Sequence, residues 1–324
     1  MRILSLDGGG YLGLATAAFL EEVEGHFGTR CHDQFDLFCG TSTGAIIAAA
    51  FATGMTGRDV RELYCRFGPA VFPSRGAIGR SFRWLRGLVM ARYSNLPLVQ
   101  ALNGAFGDAT LGDVKQRGKY LLINAFSITN GKPRVFKTNH SPDLTTDDGL
   151  LLRDVVLASA AAPVLLPVVT LSDTRTGVAE RYCDGGIFAN HPALIALAEA
   201  TFQLKCPPSH VRLLSVSTPR TDRAERGQTR SRVQQLMLSR GFVMWASKLG
   251  GMMIDATSEI ADTTLTRIAS SMGAFYERVT LARPLGTGID IATADATAAL
   301  RQLGTASARR ADMRGRLSTF FVRE

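Results

Sequence analysis

The chain has 324 residues, 46% of them hydrophobic, and a formal net charge of +9. That apolar content can bury a full α/β core in one large domain or two. Cys31, Cys39, Cys65, Cys183 and Cys206 are odd in number and never reach C-x-x-C spacing, which excludes a disulfide framework or a cysteine zinc site and leaves reduced core thiols.

Arg2-Ile3-Leu4-Ser5-Leu6 has the pattern of a buried strand, and Asp7-Gly8-Gly9-Gly10 follows it directly. No signal peptide is expected where a strand begins at once. Gly8, Gly10 and Gly13 fit G-x-G-x-x-G ahead of a helix expected over Leu14 to Val23, the dinucleotide-binding fingerprint. That reading needs an acid at the end of the second strand, yet Asp33 and Asp36 stand at the start of the next apolar stretch. The rival reading takes the amides of Gly8, Gly9 and Gly10 as a nest that holds an oxyanion, which accounts better for three consecutive glycines.

Gln34 to Cys39 is expected as the second strand and Ala45 to Ala52 as a helix stopping at Gly54. Between them lies Gly40-Thr41-Ser42-Thr43-Gly44. A nucleophilic serine on such a turn needs small neighbours, because a Cβ at Gly40 or Gly44 would collide as strand and helix pack together. The helix also aims its first amides at the site. The plain alternative is a strand-to-helix turn with Thr and Ser capping the helix.

In Ile78 to Tyr93, Phe82, Leu85, Leu88 and Val89 fall near one helical face and Arg80, Arg83 and Arg86 on another, with Trp84 at the margin. This suits a membrane interface or, as the default, a surface helix with one buried face. Leu150 to Leu171 is broken by Arg153, Asp154, Pro163 and Pro167, so it does not span a bilayer. It reads as a helix through Ser159 and then a strand.

Val178 to Cys183 is an edge or short strand, Asp184-Gly185-Gly186 the turn after it, and Asn190-His191-Pro192 the start of a helix. Beside Ser42, Asp184 would take the serine proton directly. Alone the motif is an ordinary Asp-Gly turn. His191 reads as a capping or structural group, and His26, His32, His140 and His210 show no metal-site spacing.

Val211 to Ser217 is expected as the final core strand, and Thr218 to Ser231, rich in Arg, Asp and Thr, as a connector. The loop Ser141 to Gly149 and the turn Ser172 to Gly177 are the other soft points. Arg232 onward reads as helix to about Met272, in which Phe242, Trp245, Leu249, Met252 and Met253 repeat at helical spacing as core or as a lid. The expected organisation is a catalytic core over 1–220 and a mostly helical extension over 221–324, packed as one structural domain.

Arginine concentrates in Arg75 to Arg92, Arg212 to Arg240 and Arg301 to Arg316. A cationic enzyme gains about 1 kcal/mol per basic side chain near an anionic lipid surface. The basic segments lack the aromatic interleaving of a single-strand groove and match no DNA-reading motif, so neither DNA nor RNA is an expected partner.

Asp7-Gly8-Gly9-Gly10-x-x-Gly13, Gly40-Thr41-Ser42-Thr43-Gly44 and Asp184-Gly185-Gly186, in this order, resemble the patatin-like phospholipases over about residues 1–220. The resemblance implies a three-layer α/β/α fold with a mostly parallel central sheet, and hydrolysis of fatty-acyl esters of membrane phospholipids without metal or cofactor. It casts Ser42 as nucleophile, Asp184 as general base and the amides of Gly8, Gly9 and Gly10 as oxyanion hole, supported by Gly40, Gly44, Gly185 and Gly186. The chain departs from the family pattern at Leu12, where Arg or Lys is usual, and at His191, where Asn is commoner. A positive charge near the glycine loop would then have to come from elsewhere.

Leu12 and the segment Arg134 to Asn139 are also similar to bacterial patatin-like effectors switched on by a cyclic oligonucleotide during antiphage defence. That likeness implies a cyclic di- or trinucleotide activator. With neither a signal peptide nor a bilayer-spanning stretch expected, the predicted place is the cytoplasm, with peripheral access to the inner face of the membrane. The alternatives are a Rossmann-type enzyme using Gly8 to Gly13 and a non-catalytic lipid-binding protein. Oligomeric state is not legible.

Overall fold

The computed structural model describes residues 1–74, 90–140, 146–172, 177–220 and 241–322, with side chains described from Gly251 on in the last stretch. Most of the Ile78 to Tyr93 segment, the first half of the Ser141 to Gly149 loop, most of the Ser172 to Gly177 turn, nearly all of the Thr218 to Ser231 connector and the side chains of Phe242, Trp245 and Leu249 therefore lie outside the described residues.

The chain runs β1 (Arg2–Leu6), α1 (Gly13–Phe27), α2 (Cys31–Gln34), β2 (Leu37–Thr41), α3 (Thr43–Ala52), α4 (Gly57–Val71), α5 (Leu96–Phe106), α6 (Leu111–Gln116), β3 (Tyr120–Ser127) and β4 (Lys132–Lys137). It continues through α7 (Leu152–Ser159), β5 (Val169–Ser172), β6 (Ala179–Asp184), α8 (Gly186–Ala189), α9 (Ala193–Ala198), β7 (Arg212–Val216), α10 (Gly241–Met272), β8 (Phe275–Val279), α11 (Ala294–Arg309) and α12 (Ala311–Phe321).

The eight described strands form one sheet, in which β3, β2, β1, β7 and β8 are parallel neighbours in that order. Antiparallel pairs join β3 to β4, β3 to β6 and β5 to β6. Because successive side chains of a strand point to opposite faces, each strand feeds two cores. Leu4, Leu6, Phe38, Ile123, Leu214 and Val216 join the large cluster with α1, α3 and α7. Ile3, Leu37, Cys39, Leu122 and Leu213 join the smaller one with Ala193 and Ala196 of α9 and Leu265 of α10. This is the three-layer α/β/α fold with a mostly parallel sheet.

Three element readings change. The second strand begins at Leu37, because Cys31 to Gln34 closes into a turn of helix. Its register moves toward Ser42, so Gly40 and Thr41 are strand residues. Nor is β7 the last strand: β8, from the C-terminal part, pairs parallel outside it from Phe275 to Val279. Its Phe-Tyr-Glu-Arg-Val run alternates without a strong apolar face, which hid it in the sequence. Val178 to Cys183 also lies inside the sheet, since β6 has β5 on one side and β3 on the other. No helix among the described residues is long and apolar enough to cross a membrane.

Candidate active site

Ser42 sits between the end of β2 and the start of α3 with φ 56° and ψ −124°. A non-glycine residue there is strained, at a cost on the order of 1–3 kcal/mol, and holds the position only because its surroundings fix it. What fixes it is visible. The Ser42 amide donates to Ser159 Oγ at 2.8 Å, and that hydroxyl donates to the Asn124 carbonyl at 2.6 Å. A Cβ at Gly40 would fall on the Gly44 carbonyl, and one at Gly44 on the Leu6 carbonyl. The elbow thus needs both glycines so that β2, α3 and β1 can close on one another.

Strand β3 places the carboxylate. A strand has two edges, and β4 occupies one of them along Leu122 to Ser127. On the other edge β2 runs as far as Thr41, opposite Asn124, and β6 takes over with Asp184 opposite the next residue, Ala125. The two chain ends that carry Ser42 and Asp184 therefore meet at one point on β3. Asp184 is fixed from both sides, since its amide donates to the Ala161 carbonyl at 3.0 Å and its Oδ1 accepts from the Gly186 amide at 2.7 Å. Burial pushes the Asp184 carboxyl up to about 6, against hydrogen bonds from Ser42 and the Gly186 amide that favour the anion.

The glycine loop runs beside Ser42. The Gly8 amide, expected in the oxyanion hole, donates instead to the Asn190 carbonyl at 3.1 Å, and the Gly8 carbonyl accepts from Thr218 Oγ1 at 2.6 Å. Among the described residues nothing accepts from the amides of Gly9 and Gly10. At the end of β2, where a dinucleotide site would carry an acid, stands Ser42.

Behind the loop is a cluster that the sequence reading missed. Asp7, fully buried, accepts from Arg220 Nη2 at 2.8 Å and from Arg278 Nη1 at 2.9 Å, and His191 Nδ1 stands 3.2 Å from its Oδ1. Burial alone would raise the Asp7 carboxyl, but the Arg278 guanidinium, with His191, holds it far below the usual carboxylate range. His191 meets Asp7, Ser215 and Tyr276, and burial pushes its imidazole toward the neutral form. Its contacts lie in this cluster, not at Ser42 or Asp184. Two arginines on one carboxylate leave a positive excess beside the loop, from residues more than 200 positions away that no local motif marks.

Ser42, Asp184, Gly9 and Gly10 open into a cavity of about 560 Å³ whose other walls are mainly apolar, from α3, α4, α5 and the Ala160 to Leu166 run. Asp184 and Arg92 are the charged side chains among the described lining residues.

Residues 4–197 match the family model described as patatin-like phospholipase. The chain belongs to the patatin-like phospholipase family. It is 33% identical over 266 residues to a cGAMP-activated phospholipase of Pseudomonas aeruginosa, covering 82% of this chain and 74% of that protein. It is 33% identical over 222 residues to a cUMP-AMP-activated phospholipase of Escherichia coli, covering 66% of this chain and 63% of that one. The solved structure of VipD from Legionella pneumophila aligns with 97% of this chain and 66% of its own, at 14% identity and a TM-score of 0.45. The chain thus spans less than two thirds of the second curated relative and three quarters of the first.

Proposed function

We propose that this patatin-like protein is a serine acyl hydrolase that cleaves fatty-acyl esters of membrane phospholipids with a Ser42–Asp184 dyad. The observation that carries the reading is a buried carboxylate and a strained elbow serine lining the same apolar cavity. Asp184 takes the Ser42 proton as Oγ attacks the ester carbonyl, and the Gly9 and Gly10 amides receive the oxyanion. The leaving alcohol takes the proton from Asp184. Water then adds to the acyl-enzyme, with Asp184 again as base.

A carboxylate is a weak base for an alcohol, and the raised pKa of Asp184 narrows that mismatch. The cavity volume lies within the roughly 300–1,000 Å³ usual for ligand sites, and its apolar walls suit an acyl chain. We further propose a cyclic oligonucleotide activator, as the names of the two curated relatives suggest for this chain, and with it a role in antiphage defence.

The test is fatty-acid release from mixed phospholipid vesicles by wild type and Ser42→Ala, with and without a panel of cyclic di- and trinucleotides. Release by wild type alone, raised by a nucleotide, is the expected result. Equal release by both proteins would remove Ser42 from the reaction. Ser42→Ala should lose at least about 10⁴-fold in turnover.

A further inference from the structure

We propose that Arg92 takes the phosphate of the lipid substrate at the mouth of the Ser42 cavity, and so sets the preference for phospholipid over neutral ester. This rests on the acyl-hydrolase reading above. Arg92 belongs to a basic run that the dyad chemistry leaves unexplained, yet its side chain lines the same cavity as Ser42 and Asp184. Its Nε is buried and has no hydrogen-bond partner among the described residues. A guanidinium left short of acceptors is costly, and an anionic ligand that accepts from its outer nitrogens recovers part of that cost. Among the described residues one long contact compensates the charge, Nη1 to Asp290 Oδ2 at 3.4 Å, and Tyr93 OH donates to that same oxygen at 2.9 Å.

The backbone shows where this cation stands relative to the chemistry. The Arg92 and Tyr93 amides donate to the carbonyls of Val164 and Leu165 at 2.8 and 2.9 Å, in the run just after Ala161, whose carbonyl holds the Asp184 amide. Asp290 follows Ile289, whose carbonyl accepts the Tyr11 amide at 2.8 Å immediately after the glycine loop. Arg92 is thus tied to the Asp184 side of the site by its backbone and to the oxyanion side by its side chain.

The ligand class follows from the surroundings. Val164, Met253 and Ile289 line the cavity and are nevertheless 55%, 46% and 44% exposed. Apolar side chains at an open mouth suit the acyl region of a lipid, and a cation that stands alone among the described lining residues suits the one group of a glycerophospholipid that is always anionic, its phosphodiester. Arginine's planar fork matches two phosphate oxygens.

The experiment uses the full chain and monomeric dihexanoylphosphatidylcholine, so that surface adsorption plays no part. Calorimetric binding is measured in a Ser42→Ala background, alone and with Arg92→Gln, Arg92→Lys or Asp290→Asn. Turnover by the same three single variants with Ser42 intact is measured on that lipid and on p-nitrophenyl hexanoate, with cGAMP and cUMP-AMP present and absent.

Arg92→Gln should weaken lipid binding by about ten- to a hundred-fold, the scale of a charge-assisted hydrogen bond. Its kcat/KM for lipid should fall at least ten-fold more than that for the p-nitrophenyl ester, through KM. Arg92→Lys should lie between, and Asp290→Asn, which frees the guanidinium, should bind lipid as tightly as the parent or tighter.

Equal losses from Arg92→Gln and Asp290→Asn would make the pair a structural strap and overturn the proposal. Unchanged lipid binding in Arg92→Gln would overturn it too, as would loss of cyclic-dinucleotide binding alone, which would give the cation to the activator. Turnover by Ser42→Ala equal to wild type would sink the dyad reading instead, a separate failure.

Discussion

Two buried aspartates flank the glycine loop, and their surroundings drive them in opposite directions. Asp184, on the cavity side, has a serine hydroxyl and one backbone amide for company, and burial lifts it to about 6. Asp7, on the far side, holds two arginines and is pinned as an anion. The same side chain becomes a proton acceptor where it lacks a cation and an anchor where it has two.

The sharpest way to break this contrast is Asp184→Asn. Turnover should fall by on the order of 10²–10⁴-fold in the vesicle assay, while melting at pH 8 should show a protein no less stable than wild type. The sign follows from the raised folded-state pKa. Wild type's stabilisation from protonated Asp184 is complete below the unfolded value near 3.8 and is lost as pH climbs through about 6. Ionised Asp184 therefore costs up to about 3 kcal/mol at pH 8, a cost the amide does not carry.

Asp7→Asn should act in the opposite sense. It strands Arg278 and Arg220 without a counter-charge and should destabilise the fold by about 3–5 kcal/mol in denaturant titration. Because the folded-state pKa of Asp7 is depressed, its contribution is present above the unfolded carboxylate value and is lost as pH falls below it. The two variants should thus diverge most at neutral pH and above.

The rate itself gives a third handle. If Asp184 works as the base, kcat/KM on a soluble ester should rise about ten-fold per pH unit below about 6 and level off above it. A profile set near the unperturbed value of 3.8 would mean that the carboxylate is not desolvated in the working enzyme. The smallest effect belongs to His191→Asn. With Arg220 and Arg278 still on Asp7, the loss should be about 1 kcal/mol of stability, and a large drop in kcat would restore a histidine to the chemistry.

The sequence told more about the site than about what supports it. Ser42, Asp184 and the glycine loop sit in short motifs whose residue types are dictated locally, by a tight turn or a close backbone approach. Gly40 and Gly44 were legible for that reason. The Asp7 cluster was not, because Arg220 and Arg278 reach it through strand order, and β8 carries no strong apolar alternation to reveal itself. The start of β2 was misplaced by three residues because Gln34, Phe35 and Asp36 alternate polar and apolar as a strand does, while Cys31–Gln34 closes into a turn of helix. Likewise the Gly8 amide looked available until Asn190, 182 residues on, was seen to take it.

The seam on β3, where β2 ends against Asn124 and β6 begins against Ala125, implies that this enzyme tolerates change of spelling far better than change of length. Any of the apolar residues of β3 can be exchanged for another of similar bulk while the two chain ends still meet. A single residue inserted between Asn124 and Ala125 would part them by one strand step, about 3.3 Å, and turn the following side chains to the other face of the sheet.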